Sequence, residues 1–125
     1  MRNRKLSFDE HLKWFKSRLK KKFMYILYHN DLPLGQIRLD KIHSSKNEYL
    51  LDYSVDFDFR GRGLGKILII LAIKKMLSEF KTLTILAYVK SQNLSSKNVF
   101  KNLGYNEQLT KKNNIILFKK TYENN

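Results

Sequence analysis

The sequence predicts an α/β domain, of the α+β type with a single mixed sheet, and three observations predict it. Hydrophobic residues make up 42% of the 125 positions and aromatics 13%, enough for a packed core and too many for a disordered chain. The apolar pattern changes period along the chain. Residues 35–40 alternate at period 2, whereas residues 66–80 place Leu68, Leu71, Ala72, Met76 and Leu77 at helical spacing. The apolar run Leu83 to Val89 reads as a buried central strand. The length fits one domain, residues 1–125.

Ser7-Phe8-Asp9-Glu10 has the form of a capping box, and Phe8, Leu12, Phe15 and Leu19 follow at helical spacing up to Lys20-Lys21-Lys22, so a first helix is expected there. Phe23 to His29 reads as a strand. A turn at Asp31-Leu32-Pro33 leads into the alternating strand from Gly35 to Asp40. A turn at Ser44 to Asn47 precedes a third strand, Glu48 to Val55. After the glycine-rich Arg60 to Gly65 comes the helix Lys66 to Phe80, then the strand Leu83 to Val89. A short helix, Leu94 to Leu103, turns Val99, Phe100 and Leu103 inward and ends at Gly104. Tyr105 to Leu109 and Ile115 to Lys119 read as a closing hairpin. The expected order is α-β-β-β-α-β-α-β-β.

The 25 Lys and Arg against 11 Asp and Glu give a net charge of +14. Nucleic acid, an anionic membrane surface or a polyanionic small molecule would each suit that charge, and so would a solvated lysine-rich surface. No apolar run approaches the ~20 residues of a membrane helix, and no apolar signal segment follows the basic N-terminus. There is no cysteine, which excludes a disulfide scaffold, a thiolate metal site and a cysteine nucleophile. No His, Asp or Glu cluster has metal-ligand spacing. The aromatics are needed for the core and no nucleic-acid-reading motif appears. The expectation is therefore a cytoplasmic protein without a metal, a nucleic-acid partner or a membrane partner.

The strongest local feature is Arg60-Gly61-Arg62-Gly63-Leu64-Gly65-Lys66, between a strand and a helix. Glycines let the backbone turn its amides inward, and amides at a helix start favour an anion. Arg60, Arg62 and Lys66 add positive charge. The spacing is neither that of a P-loop nor that of a dinucleotide fingerprint.

Arg60, Gly63 and Gly65 do fall on the R/Q-x-x-G-x-G/A positions of the acyl-CoA pyrophosphate loop. Downstream, Asn93, Ser96, Phe100, Gly104 and Tyr105 match N-x-x-A/S-x-x-x-Y/F-x-x-x-G-F/Y. With both motifs in order, the chain resembles the GNAT superfamily of N-acetyltransferases over residues 7–120. The resemblance implies an acyl-CoA N-acyltransferase fold, N-terminally short, with acetyl-CoA as cosubstrate. The strands around Val55 and Val89 would splay. Backbone groups of Val55 and Phe57 would hold the pantetheine and the acetyl carbonyl, in an arrangement that stabilises an oxyanion. Amides from Arg60 through Gly61, Arg62, Gly63, Leu64, Gly65 and Lys66 would hold the pyrophosphate, and Asn93 the cofactor arm, with Phe100 beside it.

The amine acceptor must lose a proton and the thiolate must gain one. In many family members a Glu serves as base or water-holder at the position of Leu50. Asp52 shares a strand face with Leu50 and is the first candidate for base or amine anchor, with Glu48 in reserve. The usual acid is a Tyr at the position of Phe100; Tyr88, Tyr105 or water would have to replace it, and Tyr105 is the residue chosen.

On the expected first helix, His11 and Trp14 share a face. His11-x-x-Trp14-Phe15 is similar to a helix of one GNAT branch, that of ribosomal-protein N-terminal acetyltransferases and of amino-sugar-nucleotide N-acetyltransferases of the pseudaminic acid type. Arg38 on the neighbouring strand would face a substrate phosphate. The first expectation is acetylation of a small-molecule amine, an amino-sugar nucleotide (a UDP-4-amino sugar). The alternatives are a protein N-terminus or ribosomal protein, and a catalytically decayed acyl-CoA-binding module. A homodimer is one assembly left open.

Overall fold

The computed structural model describes residues 12–17, 22–42 and 46–124. Seven strands form one sheet in the order β1-β2-β3-β4-β5-β7-β6. They are β1 (Leu12–Ser17), β2 (Lys22–His29), β3 (Leu32–Lys41), β4 (Glu48–Val55), β5 (Thr82–Lys90), β6 (Asn106–Leu109) and β7 (Ile115–Glu123). The helices are α1 (Leu64–Leu77) and α2 (Leu94–Asn102), and a single 3₁₀ turn, Phe57–Phe59, follows β4. All neighbouring strands are antiparallel except β4 and β5, which are joined through α1. A parallel pair requires such a crossover.

The first element departs from expectation. Residues 12–17 form an edge strand, with Trp14 opposite Tyr25 and Phe15 opposite Met24. The i, i+3 apolar spacing lost to tertiary pairing: Trp14 and Phe15 are good strand formers, and β1 satisfies the backbone edge of β2 that would otherwise stand open. Ser7 to His11, Leu19 to Lys21 and His43 lie outside the described residues. The other elements match the expected ones to within a few residues at their ends.

Alternation decides which face is buried. In β4, Tyr49 and Leu51 are buried and Tyr53 and Val55 pack against the core, while Asp52 and Ser54 are exposed. In β5, Leu83, Ile85, Ala87 and Val89 are buried and Tyr88 is exposed. The central strand is thus fully covered on one face only, a correction to the expectation from its apolar run. The core joins these residues to Leu68, Ile69, Ala72 and Met76 of α1 and Phe100 of α2, so both helices lie on the same face. Gly104 has φ 86° and follows the helix cap Leu103, the left-handed position that favours glycine.

Five tyrosines are set in or against this core. Burial pushes the phenol pKa of Tyr25, Tyr49, Tyr53, Tyr105 and Tyr122 above the ordinary value of 10.0. In the folded state they hold their protons to higher pH than in the unfolded chain. Their contribution to stability is therefore complete below pH 10 and is lost as pH rises above it. Urea unfolding at a series of pH values should show stability flat near neutrality and falling steeply above pH 10; a flat profile to pH 12 would contradict this packing.

Candidate active site

The β4–β5 ladder contains three residue pairs, Glu48 with Thr84, Tyr49 with Ile85 and Leu50 with Leu86. Beyond Leu50 and Leu86 the strands part. Each keeps its outer neighbour: β4 stays paired with β3 as far as Val55 opposite Gly35, and β5 with β7 as far as Lys90 opposite Ile115. The facing edges of residues 51–55 and 87–90 are left without a strand between them. Beside the end of β4, between it and the starts of α1 and α2, the structure opens a cavity of about 370 Å³, lined by Tyr53, Ser54, Val55, Phe59, Arg60, Gly61, Gly63, Leu64, Gly65, Asn93, Ser95, Ser96 and Val99.

The start of α1 points into this notch. Its cap, Gly63, has φ 75° and makes no side-chain capping bond. The first intrahelical donor is Ile67, whose N–H bonds Gly63 O at 3.3 Å. The amides of Leu64, Gly65 and Lys66 precede it and have no partner within the helix, so an anion is favoured there. A side chain at Gly61 or Gly63 would meet nothing within 4 Å, which leaves the approach to these amides clear. At Gly65 an added Cβ would stand 2.8 Å from Tyr53 Cε2, so the helix start rests directly on that ring.

The basic residues of the loop divide. Arg60 lines the cavity; its Nε–H donates to Val55 O at 3.1 Å and its guanidinium lies over the Phe57 ring. Arg62 sits over Phe59 and, with Lys66, is exposed at the rim rather than in the lining. Phe57 is 76% exposed. On the opposite wall Asn93 caps α2, its Oδ1 accepting from Ser96 N–H at 3.1 Å, which leaves its amide nitrogen as a donor.

Phe100 and Tyr105 are not in the lining. Phe100 is buried, packed edge-on to Tyr53 and Tyr105 and stacked on Phe118. Tyr105 is buried too, and its hydroxyl accepts a hydrogen bond from Tyr122 Oη at 2.8 Å. Burial, then the Tyr122 hydroxyl, drives its pKa far up. Tyr88 projects from the open face.

Asp52 and Arg38 are cross-strand partners on that open face, joined by an ion pair at 3.1 Å with both side chains more than half exposed. Such a pair contributes little to stability. Glu48 stands at the closed end of the ladder, opposite Thr84. Trp14 is on β1, so the helical face assigned to it with His11 does not exist there; His11 is outside the described residues.

Sequence reasoning did not single out Tyr53, Ser54 or Ser95 as site residues, and named Ser96 only as a position of the downstream motif. Tyr53 Oη is 2.8 Å from Ser96 Oγ, so the two side chains meet across the notch. The period-2 alternation of β4 was the available signal, since it turns Tyr53 with Val55 toward the helices.

The model of the Acetyltransferase (GNAT) family matches residues 2–105. The chain belongs to this family. No curated protein matches it significantly. Among solved structures it is similar to the GNAT domain of S. lividans PAT, with TM-score 0.72 and 15% identity over 85% of this chain and 64% of that one. It is also similar to the ribosomal-protein-S5-alanine acetyltransferase from Vibrio fischeri (0.67, 20%, 79% and 61%) and to the Campylobacter jejuni N-acetyltransferase PseH in complex with acetyl coenzyme A (0.67, 17%, 79% and 67%). The chain spans about two thirds of the length of these proteins or slightly less, and the likeness establishes the fold. Among the described residues no helix is long and apolar enough to cross a membrane, and no group of three His, Asp or Glu could hold a metal.

A larger hollow of about 460 Å³ lies between the C-terminal half of α1 and β7, with Ile69, Ile73, Leu77 and Tyr122 among its walls. It has neither a free strand edge nor a helix start, so the notch is the better seat for chemistry. Replacing Gly63 by alanine should cost about 1–2 kcal/mol of stability, the penalty of a left-handed L-residue, read by urea unfolding. An unchanged midpoint would show that the loop does not need this conformation.

Proposed function

We propose that this domain transfers an acetyl group from acetyl-CoA to a primary amine, acting as a single domain over residues 1–125. The observation that carries the proposal is the coincidence of a one-strand gap with an uncapped, glycine-cleared helix start. The pantetheine arm of CoA is a narrow chain with two amide groups, suited to free backbone edges such as those of residues 51–55 and 87–90. The amides of Leu64, Gly65 and Lys66 would hold the pyrophosphate, with Arg62 and Lys66 at the rim. The freed backbone around Val55 would orient the acetyl carbonyl, and Asn93 the arm. When bound, acetyl-CoA supplies an activated acyl group whose carbonyl carbon an amine can attack directly, so no enzyme nucleophile is needed.

The acceptor is proposed as an amine on an anionic small molecule, with an amino-sugar nucleotide to be tested first. Its support is the Arg38–Asp52 pair on the open face, where a guanidinium could meet a phosphate and a carboxylate an ammonium. The absence of a helix at Trp14 removes the other argument for this acceptor, and a peptide N-terminus is the second substrate to test. A cytoplasmic location, where acetyl-CoA is supplied, is part of the same reading.

Acetyl-CoA at 100 times its Kd should stabilise the protein by about 2.7 kcal/mol, seen as a rise in Tm. No shift at millimolar CoA would overturn the proposal. Thiol release should then appear with amino-sugar nucleotides; release with peptides alone would replace the acceptor. Asp52→Asn should lower kcat at least tenfold and leave acetyl-CoA affinity unchanged, if Asp52 takes the amine proton or anchors the amine. An unchanged kcat would remove it from that role.

A further inference from the structure

We infer that Tyr53 is the proton donor to the leaving thiolate, held in position by Ser96; this rests on the acetyl-transfer reading above. A thiolate leaving group is stabilised by a donor at the sulfur. Among the residues lining the notch, Tyr53 and Arg60 are the ones with an ionisable side chain. The Arg60 Nε–H is committed to Val55 O. The serine hydroxyls of the lining are far weaker acids than a phenol. Tyr53 therefore carries the one proton in the lining suited to the task.

Its placement fits. The ring is fixed between the start of α1 at Gly65 and the edge of Phe100, so the hydroxyl has little freedom. That hydroxyl meets Ser96 Oγ at 2.8 Å, and either can donate. With Ser96 as donor, Tyr53 keeps its own hydrogen free to turn into the cavity. Burial raises the phenol pKa, opposed by the Ser96 hydrogen bond, so the proton is present at neutral pH.

The step balances. The acceptor nitrogen forms its bond to the acetyl carbon, and the C–S bond breaks with its electron pair going to sulfur. Tyr53 Oη–H gives its proton to that sulfur, Ser96 Oγ–H gives one to the phenolate, and solvent restores Ser96. The extra proton of the acceptor nitrogen passes to Asp52 and on to solvent, so amide and free thiol form with every side chain back in its starting state.

The test is a titration of the CoA thiol bound to the protein, followed by the ultraviolet absorbance of the thiolate, for wild type, Tyr53→Phe and Ser96→Ala. A donor at the sulfur favours the charged form. The bound thiol should titrate at least one pH unit lower in wild type than in Tyr53→Phe, about a tenfold difference in thiolate fraction, with Ser96→Ala in between. In turnover, Tyr53→Phe should lose at least tenfold in kcat with acetyl-CoA and much less with an acetyl thioester of a more acidic thiol. A purely structural ring would lower both rates equally. Equal thiol pKa values in wild type and Tyr53→Phe would overturn the assignment. If Tyr53→Phe no longer binds CoA, the wild-type to Ser96→Ala comparison decides, and equality there overturns it too. A wild type that binds no CoA overturns the transfer reading and this one together, whereas CoA binding with an unshifted thiol overturns this one alone.

Discussion

Everything at the site follows from where the β4–β5 ladder stops. A parallel pair holds for Glu48 to Leu50 and then ends, although both strands continue for several residues. Each continues because its other edge remains paired, β4 with β3 and β5 with β7. Two half-sheets, each anchored on its own outer neighbour, can diverge without either strand fraying. The cost is a set of backbone donors and acceptors on two inner edges, which a buried setting would penalise. The notch is tolerable because it is open to solvent, and it becomes useful because a chain bearing amides can enter it.

The glycine loop solves a second problem created by the same geometry. The chain leaving β4 must turn sharply to start α1 against the sheet, and it does so through a 3₁₀ turn and two left-handed glycines, Gly61 and Gly63. Since α1 has no side-chain cap, its first amides remain available at the mouth of the notch. An N-cap Ser or Asp would change helix stability by only about a few tenths of a kcal/mol relative to glycine, but would occupy one of those donors. Among the described residues, several of the cations behind the net charge of +14 have a defined setting: Arg60 donates to Val55 O, Lys97 to Ser91 O and Lys120 to Leu103 O, while Arg62 and Lys66 are exposed at the glycine loop and the start of α1.

How much of this was legible in the sequence depended on what each residue's role rested on. The loop and α2 were readable because glycine and Asn93 serve the backbone, and backbone demands leave residue-type signatures at fixed spacing. The splay at Val55 was reached through family resemblance and is visible here as lost pairing. The strand Leu12–Ser17 was misread because its aromatic pattern satisfies helical spacing, and only the open edge of β2 decides the matter. Tyr105 and Phe100 were misplaced for a different reason: a motif aligns positions but does not say which way a ring points, and both rings point into the core. Tyr53 went unnoticed because an aromatic in a strand reads as core, which is half true, since its ring is packed while its hydroxyl meets Ser96 in the lining of the notch.

Consecutive residues of β4 reach the notch although their side chains alternate between the two faces. Tyr53 and Val55 turn toward the helices and Ser54 toward the open face, yet all three line one cavity. The cavity runs along the edge of β4 left unpaired beyond Leu50, where the backbone of successive residues is open to it. The helix-side mouth meets the α1 amides, Arg60 and Asn93, a cationic and donor-rich setting that favours phosphates and amide carbonyls. On the open face stand Arg38 and Asp52, paired at 3.1 Å so that their opposite charges offset each other.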